Sequence, residues 1–271
     1  MATKSDLPQP PIGTLLKEWR AARRMSQLDL ALEAGISARH LSCVETGKAQ
    51  ASRDTVELLA NALGMPLREH NRLLLVAGFA PEFSESQLST TALERMNGAV
   101  ELILQHHEPY PAFAINRNWD ILMKNQAVDR MISFLMDGRA LRHRNMLHNV
   151  FDPEDFRPVI VNWDEIAGWF IRQLHEEIAA SPSNPDSRQL LQEILAYPGV
   201  PSEWWFRDVD RELLPVLNLV YRSSVGQLRF FETITTFAGP RDVTLDELRI
   251  ECFFPSDEET TAFCAQLAKS R

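Results

Sequence analysis

The chain has 271 residues, with 28 Lys or Arg against 37 Asp or Glu and a formal net charge of −9. A hydrophobic fraction of 45% beside 24% charged residues is enough for one or two cores and excludes a disordered or fibrous chain. The longest apolar run, residues 73–77, is far short of the roughly 18 residues that a membrane span needs.

Residues 6–11 are proline-rich and polar and read as a loose arm. From residue 12 to 24 the apolar Ile12, Leu15, Leu16 and Trp19 recur at helical spacing, with Lys17, Arg20, Arg23 and Arg24 outside the stripe, which predicts an amphipathic helix with a basic flank. Ser26 with Asp29 three residues on is a capping pair for a second helix over residues 27–34. Gly35 supplies a positive φ after it, and Ser37 caps a third helix over residues 38–46 that stops at Gly47. Ala31 is small enough for the two helices to approach, and Ile36 and Leu41 plug the angle between them, so this is a helix-turn-helix unit. Ser52 caps a fourth helix with Val56, Leu58, Leu59 and Leu63 as its apolar positions, and a fifth covers residues 67–77.

Charge follows the same division. Residues 1–80 carry ten Lys or Arg against eight Asp or Glu, and the rest of the chain carries 18 against 29. A basic end and an acidic end suit a nucleic-acid reader fused to a different module, because only the face that meets phosphates needs positive potential.

Residues 13–66, above all SQLDLALEAGISARHLSCVETGKAQASRDTVELLANALGMP, resemble the Xre/Cro family of bacterial and phage repressors. The resemblance implies that Gln27 clamps a phosphate and braces the recognition helix, which Ser37 caps. It puts Ala38, Arg39, His40, Ser42 and Cys43 on or beside the outward face toward base edges, and has Thr46, Lys48 and Arg53 meet the backbone of double-stranded DNA. Ala38 and Cys43 depart from the family's polar-rich recognition helices, so direct readout leans on Arg39, whose guanidinium can grip a guanine with two bonds.

Residues 81–90 hold Pro, Ser and Glu in a hinge-like stretch between an N-terminal domain of residues 1–80 and a C-terminal one of residues 91–271. A helix is predicted from residue 91 to about 106, then a hairpin in which Phe113 and Ile115 alternate, Asn116 to Asn118 turn, and Trp119, Ile121 and Met123 alternate again. Helical patterns cover residues 127–136, 146–151, 163–178 and 187–197. Strands follow over 214–221, 227–237 and 247–254, and a last helix over 257–267. Two strands, a helical excursion and three strands resemble the PAS arrangement, which implies an α+β domain with a five-stranded antiparallel sheet behind an all-α reader.

Three runs, YPAFAINRNWDILMKNQA, NVFDPEDFRPVIVNWDEIAGWFIRQL and TITTFAGPRDVTLDELRIECFFPSDEET, resemble the C-terminal domain of the MmyB-like transcription regulators. That resemblance implies a sensor with an elongated apolar pocket, a fatty acid or related lipophilic effector, and action as a homodimer. Candidate wall residues are Phe113, Ile115, Trp119, Ile121 and Met123 from the hairpin and Leu217, Leu219, Phe231, Ile234 and Phe237 from the later strands. Arg117 or Asn125 is the candidate holder of a carboxylate head. The alternative is a C-terminal domain whose apolar face serves only dimerisation or a protein partner.

No constellation predicts an enzyme. The seven histidines show no HExxH or other metal spacing, and no GxSxG elbow, phosphate loop or dinucleotide fingerprint occurs. Cys43, Cys252 and Cys264 form no CxxC pair, which argues against a disulfide framework and a zinc site. No cofactor is expected apart from a bound fatty acid as effector. The first residues lack a basic segment leading into an apolar one, so no signal peptide is predicted and a cytoplasmic location is expected.

Overall fold

The computed structural model describes residues 11–85, 91–182, 184–205 and 217–269. The arm expected over residues 6–11 (Pro11 apart), residues 86–90 of the hinge and the start of the strand expected at 214 lie outside the described residues. Two compact units are formed, one from Met1–Glu85 with Glu176–Pro185 and Arg241–Val243, the other from Ser86–His175, Asp186–Pro240 and Thr244–Arg271.

The first unit contains α1 (Ile12–Ala22), α2 (Gln27–Glu33), α3 (Ala38–Glu45), α4 (Arg53–Ala62) and α5 (Leu67–Val76). Three serines set where helices begin. Ser26 Oγ accepts from Asp29 N at 3.2 Å while the Asp29 carboxylate accepts from Ser26 N at 2.8 Å, and the hydroxyls of Ser37 and Ser52 accept from His40 N and Thr55 N. Each satisfies an amide that the helix cannot, worth about 1 kcal/mol. The first helix ends two residues earlier than expected, because Arg24 turns the chain at φ 55°. Leu15, Leu16, Trp19, Leu30, Leu41, Val44, Val56, Leu59, Leu63, Leu73 and Leu74 make the core. Leu58, expected inside, is 47% exposed: it lies about 100° round the helix from Leu59, and only one of the two can face inward.

A buried ionic contact locks three of these helices. The Glu45 carboxylate, with no side-chain exposure, accepts from Arg20 Nε at 2.9 Å and Nη2 at 3.2 Å and from Gln27 Nε2 at 2.7 Å. Beside it α1 and α3 approach so closely that a Cβ added to Gly13 would lie 2.2 Å from the Glu45 carbonyl oxygen. Residues 81–85 are not all free chain either, because Asn71 accepts from the amides of Glu82 and Phe83 at 3.0 Å each and donates to the Phe83 carbonyl at 2.7 Å.

In the second unit, β1 (Ala112–Ile115), β2 (Ile121–Lys124), β3 (Asn218–Ser223), β4 (Gly226–Thr235) and β5 (Arg249–Pro255) form a five-stranded sheet among the described residues, in the order β2-β1-β5-β4-β3. All neighbours are antiparallel. This is the five-stranded antiparallel sheet expected of the domain. Its outer face packs on α6 (Thr91–His106), where Val100 and Leu104 meet Ala112, Ala114, Ile250 and Cys252. On the inner side α7 (Gln126–Leu135) meets β1 and β3, and beyond it α8 (Met146–Phe151), α9 (Trp163–Ala180) and α10 (Pro185–Leu195) bury Phe151, Trp163, Ile166, Phe170 and Leu191. A single turn, α11 (Val243–Asp246), precedes β5 where no helix was expected, and α12 (Glu258–Leu267) closes against β4 and β5.

Trp119 departs from its expected strand position. Asn116 Oδ1 accepts from the amides of Asn118 and Asp120, which tightens the turn and leaves Trp119 ahead of β2 at φ 67°, a region costly for a bulky residue. Burial offsets the cost. The ring is 1% exposed, with the Phe170 ring edge-on at 5.5 Å and the Arg249 guanidinium 4.0 Å above it.

Substitution at the Glu45 contact is expected to unfold the first unit selectively. Gly13→Ala should cost about 1–3 kcal/mol through overpacking, and Arg20→Ala about 3 kcal/mol by leaving a buried carboxylate uncompensated. A urea titration of the full chain followed by far-ultraviolet circular dichroism checks both, and an unchanged midpoint in Arg20→Ala would show that Glu45 does not need its partner.

Candidate functional site

Two places in the molecule can do something besides fold. The first is the outward side of α3. Arg39 is exposed near its amino end, with His40, Ser42 and Cys43 half-buried along it and Lys48 exposed in the loop beyond. Ser37 is exposed, but its hydroxyl is engaged in the cap. Ala38 is half-buried and packs partly on the core, so its methyl is less available to a base edge than expected. Thr46 Oγ1 donates to the Ser42 carbonyl at 2.7 Å, which fixes the end of α3.

Gln27 and Arg53, both expected to meet phosphates, are engaged within the protein. The Gln27 amide donates to Glu45, as a brace of α3 should. Arg53 Nη1 donates to the Ala80 carbonyl at 2.9 Å, and its Nε pairs with Glu57 at 2.7 Å. Sequence reasoning missed Glu45 itself, although an acidic residue next to Val44 at the end of an amphipathic helix is a signal that a buried partner exists.

The second place is a cavity of about 90 Å³ on the inner side of the sheet. Its wall is apolar almost throughout: Phe113, Ile121, Leu219 and Phe253 from the strands, Val128 and Met131 from α7, Met146 and Val150 from α8, and Ile166 and Phe170 from α9. Asn149, Tyr221 and Glu232 are its polar-bearing members.

Of the ten wall residues expected from sequence, Phe113, Ile121 and Leu219 line this cavity. Ile115 is fully buried away from it, and Trp119 stands behind Phe170. Met123 and Phe237 pack on the outer-face cluster, Phe231 stacks on Phe254 at 5.2 Å, Ile234 is 44% exposed, and Leu217 lies ahead of β3. In the pair Phe230–Phe231 the residues face opposite sides, and the fully buried Phe230 is the inner one. Continuing the alternation from Leu219 would have found Tyr221.

Neither expected head-group residue is at the cavity. Arg117 pairs with Asp186 at 2.9 Å and with Glu247 at 3.5 Å. Asn125 is buried, its oxygen accepting from the amides of Ala112 and Val128 and its nitrogen donating to the carbonyls of Leu104 and Tyr110. It ties α6, β1 and α7 together and has no capacity left for a ligand.

Instead the inner face carries two carboxyls. Glu232 on β4 is half-buried at the cavity wall, and Glu251 on β5 is 1% exposed, with both oxygens lacking a hydrogen-bond partner. Burial pushes the Glu232 carboxyl up to about 7, opposed by Arg249. Burial first, and then the charge of Glu232, holds Glu251 well above its ordinary value, again opposed by Arg249. Burial and the same two carboxylates raise the Tyr221 hydroxyl.

Residues 16–70 match the family model of a helix-turn-helix, and residues 96–267 match that of the MmyB-like transcription regulator ligand binding domain. The chain thus carries a helix-turn-helix ahead of a ligand binding domain of the MmyB-like type. The chain belongs to the MmyB-like transcription regulators. Uncharacterized HTH-type transcriptional regulators of Mycobacterium bovis and of two Mycobacterium tuberculosis strains are each 33% identical to it over 91 residues, 32% of this chain and 36% of theirs. The match spans about a third of the length of these curated relatives. No helix among the described residues is long and apolar enough to cross a membrane.

On the DNA side, Arg39→Ala is expected to cost about 1–3 kcal/mol on a cognate duplex and little on a scrambled one, while Lys48→Ala weakens both alike and lowers the salt slope by about 1. Fluorescence anisotropy separates the two, and equal losses on both duplexes for Arg39→Ala would count against base reading by Arg39. On the sensor side, a carboxyl whose folded value is raised stabilises the fold fully below its ordinary 4.5 and loses that contribution as pH rises through the folded value. Glu251→Gln should therefore melt higher than the parent chain at alkaline pH and lose this advantage toward pH 4.5; thermal melts across that range decide, and a variant that is less stable throughout would contradict the assignment.

Proposed function

We propose that the chain regulates transcription as a homodimer, with residues 1–80 as the reader, residues 81–90 as a linker and residues 91–271 as a sensor for a small lipophilic effector. The effector's tail is a long apolar chain, a fatty acid being the type that the family resemblance implies. Filling the sensor changes how its copies pack, and so moves two recognition helices toward or away from the roughly 34 Å spacing of successive major grooves.

The observation that carries this reading is the apolar cavity between the inner sheet face and α7, α8 and α9. Each buried methylene is worth about 0.8 kcal/mol, so a dozen carbons offer on the order of 10 kcal/mol before the cost of association. A volume of about 90 Å³ is well below the roughly 300 Å³ at which small-molecule pockets begin, so a long chain enters only if Met131 and Met146 swing aside. Their unbranched thioether side chains are suited to that.

Native mass spectrometry of the purified chain, followed by organic extraction, should release a compound with an alkyl chain. Added long-chain compounds should raise the melting temperature and change affinity for DNA upstream of regulated genes. If nothing is released and no such compound shifts the melt, the sensor is an interaction module and the effector reading fails.

A further inference from the structure

We infer that the effector lies with its head outward: granted the long-chain acid proposed for the inner cavity, its carboxylate leaves the apolar wall through an adjoining cleft and is received there by Arg139 and Arg144. The cleft has a volume of about 410 Å³ and lies between β2, α7 and the loop over residues 136–145 that joins α7 to α8. Ile121, Val128, Ile132 and Leu141 line both the cavity and the cleft, so the two share one apolar wall and differ in what stands beyond it. On the cleft side stand Lys124, Arg139, His143 and Arg144, and Asp129 is the one carboxylate among the described residues that line it.

Charge in the cleft is not balanced. Lys124 Nζ pairs with Asp129 at 2.5 Å, and His143 Nε2 meets the Asp152 carboxylate at 2.9 Å. Arg139 and Arg144 remain, both exposed and neither paired with a carboxylate among the described residues. Arg139 Nε donates to the Met136 carbonyl at 3.3 Å, which leaves the two terminal nitrogens of its fork unused. The loop that carries both arginines is tied down at several points. Gly138 N donates to the Ser133 carbonyl at 2.7 Å, His143 N and the Asn149 side chain bond each other's partners at 3.0 Å, and Ile121 N donates to the Arg144 carbonyl at 2.9 Å. The last of these bonds joins Arg144 to a residue of the shared wall, so its guanidinium starts from the rim of the cavity.

The sheet order sets which way the acid points. Glu232 lines the cavity from β4, three strand spacings from β2 in the order β2-β1-β5-β4-β3, roughly 14 Å at the usual distance between strands. A carboxylate at the β4 end would meet a second carboxyl within an apolar wall, where neither is solvated. Turned round, it emerges at the β2 edge, keeps part of its hydration and meets guanidiniums whose planar forks match its two oxygens. An ammonium in the same place would meet like charge, and an alcohol would forgo the charge-assisted bonds.

Dodecanoate, dodecanol and dodecylamine share one tail, and titration calorimetry on the full chain below micelle-forming concentrations compares their heads. At about pH 7.5 the acid is ionised, and it should bind about tenfold tighter than the alcohol, as bonds to a charged donor allow, with the amine weakest. Arg139→Gln and Arg144→Gln should each remove part of that advantage and the double variant most of it, while dodecanol binds as before. Added salt should narrow the gap between acid and alcohol, because the cleft is open to solvent. Arg142→Gln is the control: Arg142 is exposed on the same loop but pairs with Glu154 at 2.8 Å and does not line the cleft, so its loss should leave the advantage intact.

Dodecanoate no tighter than dodecanol, or an advantage that survives the double variant, overturns the head-group assignment and leaves the cavity reading standing. So does a loss in Arg142→Gln as large as in the other two, which would make the effect one of general surface charge, and so does a loss of dodecanol binding in the double variant, which would make the arginines part of the wall. If none of the three compounds binds, both readings fall together.

Discussion

The carboxylate of Glu45 sits beyond the reach of solvent among three helices, and the donors that reach it come from two of them. Arg20 of α1 supplies two bonds and Gln27 of α2 a third, while α3, which carries Glu45, is the helix that presents Arg39. A third Arg20 bond, from Nη1 to the Met25 carbonyl at 3.0 Å, pins the turn between α1 and α2. The recognition helix is thus set by charge at its inner end and by close backbone approach along its side, where Gly13 admits α3 because it has no side chain. Apolar packing alone would allow α3 to slide or roll by a fraction of a turn with little change in buried area. A bidentate ion pair in a low-dielectric site allows neither without losing several kcal/mol.

In the second unit the ordering agent is the alternation of β-strands. Small residues, Ala112 and Ala114, let α6 lie close on the outer face, while the inner face takes Phe113, Leu219, Phe230 and Phe253 and cannot be filled by them completely. Helices α7, α8 and α9 bridge what remains, and their side chains meet the sheet around the cavity rather than at its centre. Placing Glu232 and Glu251 on that same face opposes the stability of the sheet, since two carboxyls there must stay protonated or find counter-charge. A sequence selected for stability alone would have apolar residues at both positions.

Much of the fold was legible because it is written in local chemistry. Ser26, Ser37 and Ser52 announce helix starts, glycines such as Gly35 announce the turn, and the number of strands follows from the alternating segments before and after the helical excursion. The site was less legible. Period-2 alternation says that Phe230 and Phe231 face opposite ways but not which is inside. That answer comes from register with β5 and from the helices that cover one face. An irregularity between Ala114 and Ile115 shifts the pairing with β2, which no local pattern displays. Trp119 was read as a strand residue because aromatic alternation continues through it, yet the Asn116 turn takes precedence. Arg117 and Asn125 looked available because their partners, Asp186 and Glu247 for the one and the carbonyls of Leu104 and Tyr110 for the other, are distant in sequence.

A ligand moves an equilibrium only through a difference in its affinity for two states. An effector of the proposed kind meets that condition by construction, because a cavity of about 90 Å³ admits a long chain only after its wall has rearranged. Shifting a population from 1:99 to 99:1 takes about 5.5 kcal/mol of differential binding, and the tail's roughly 10 kcal/mol of burial covers that, provided association and side-chain ordering consume less than about 4 kcal/mol of it. The tail alone would respond to any long apolar compound.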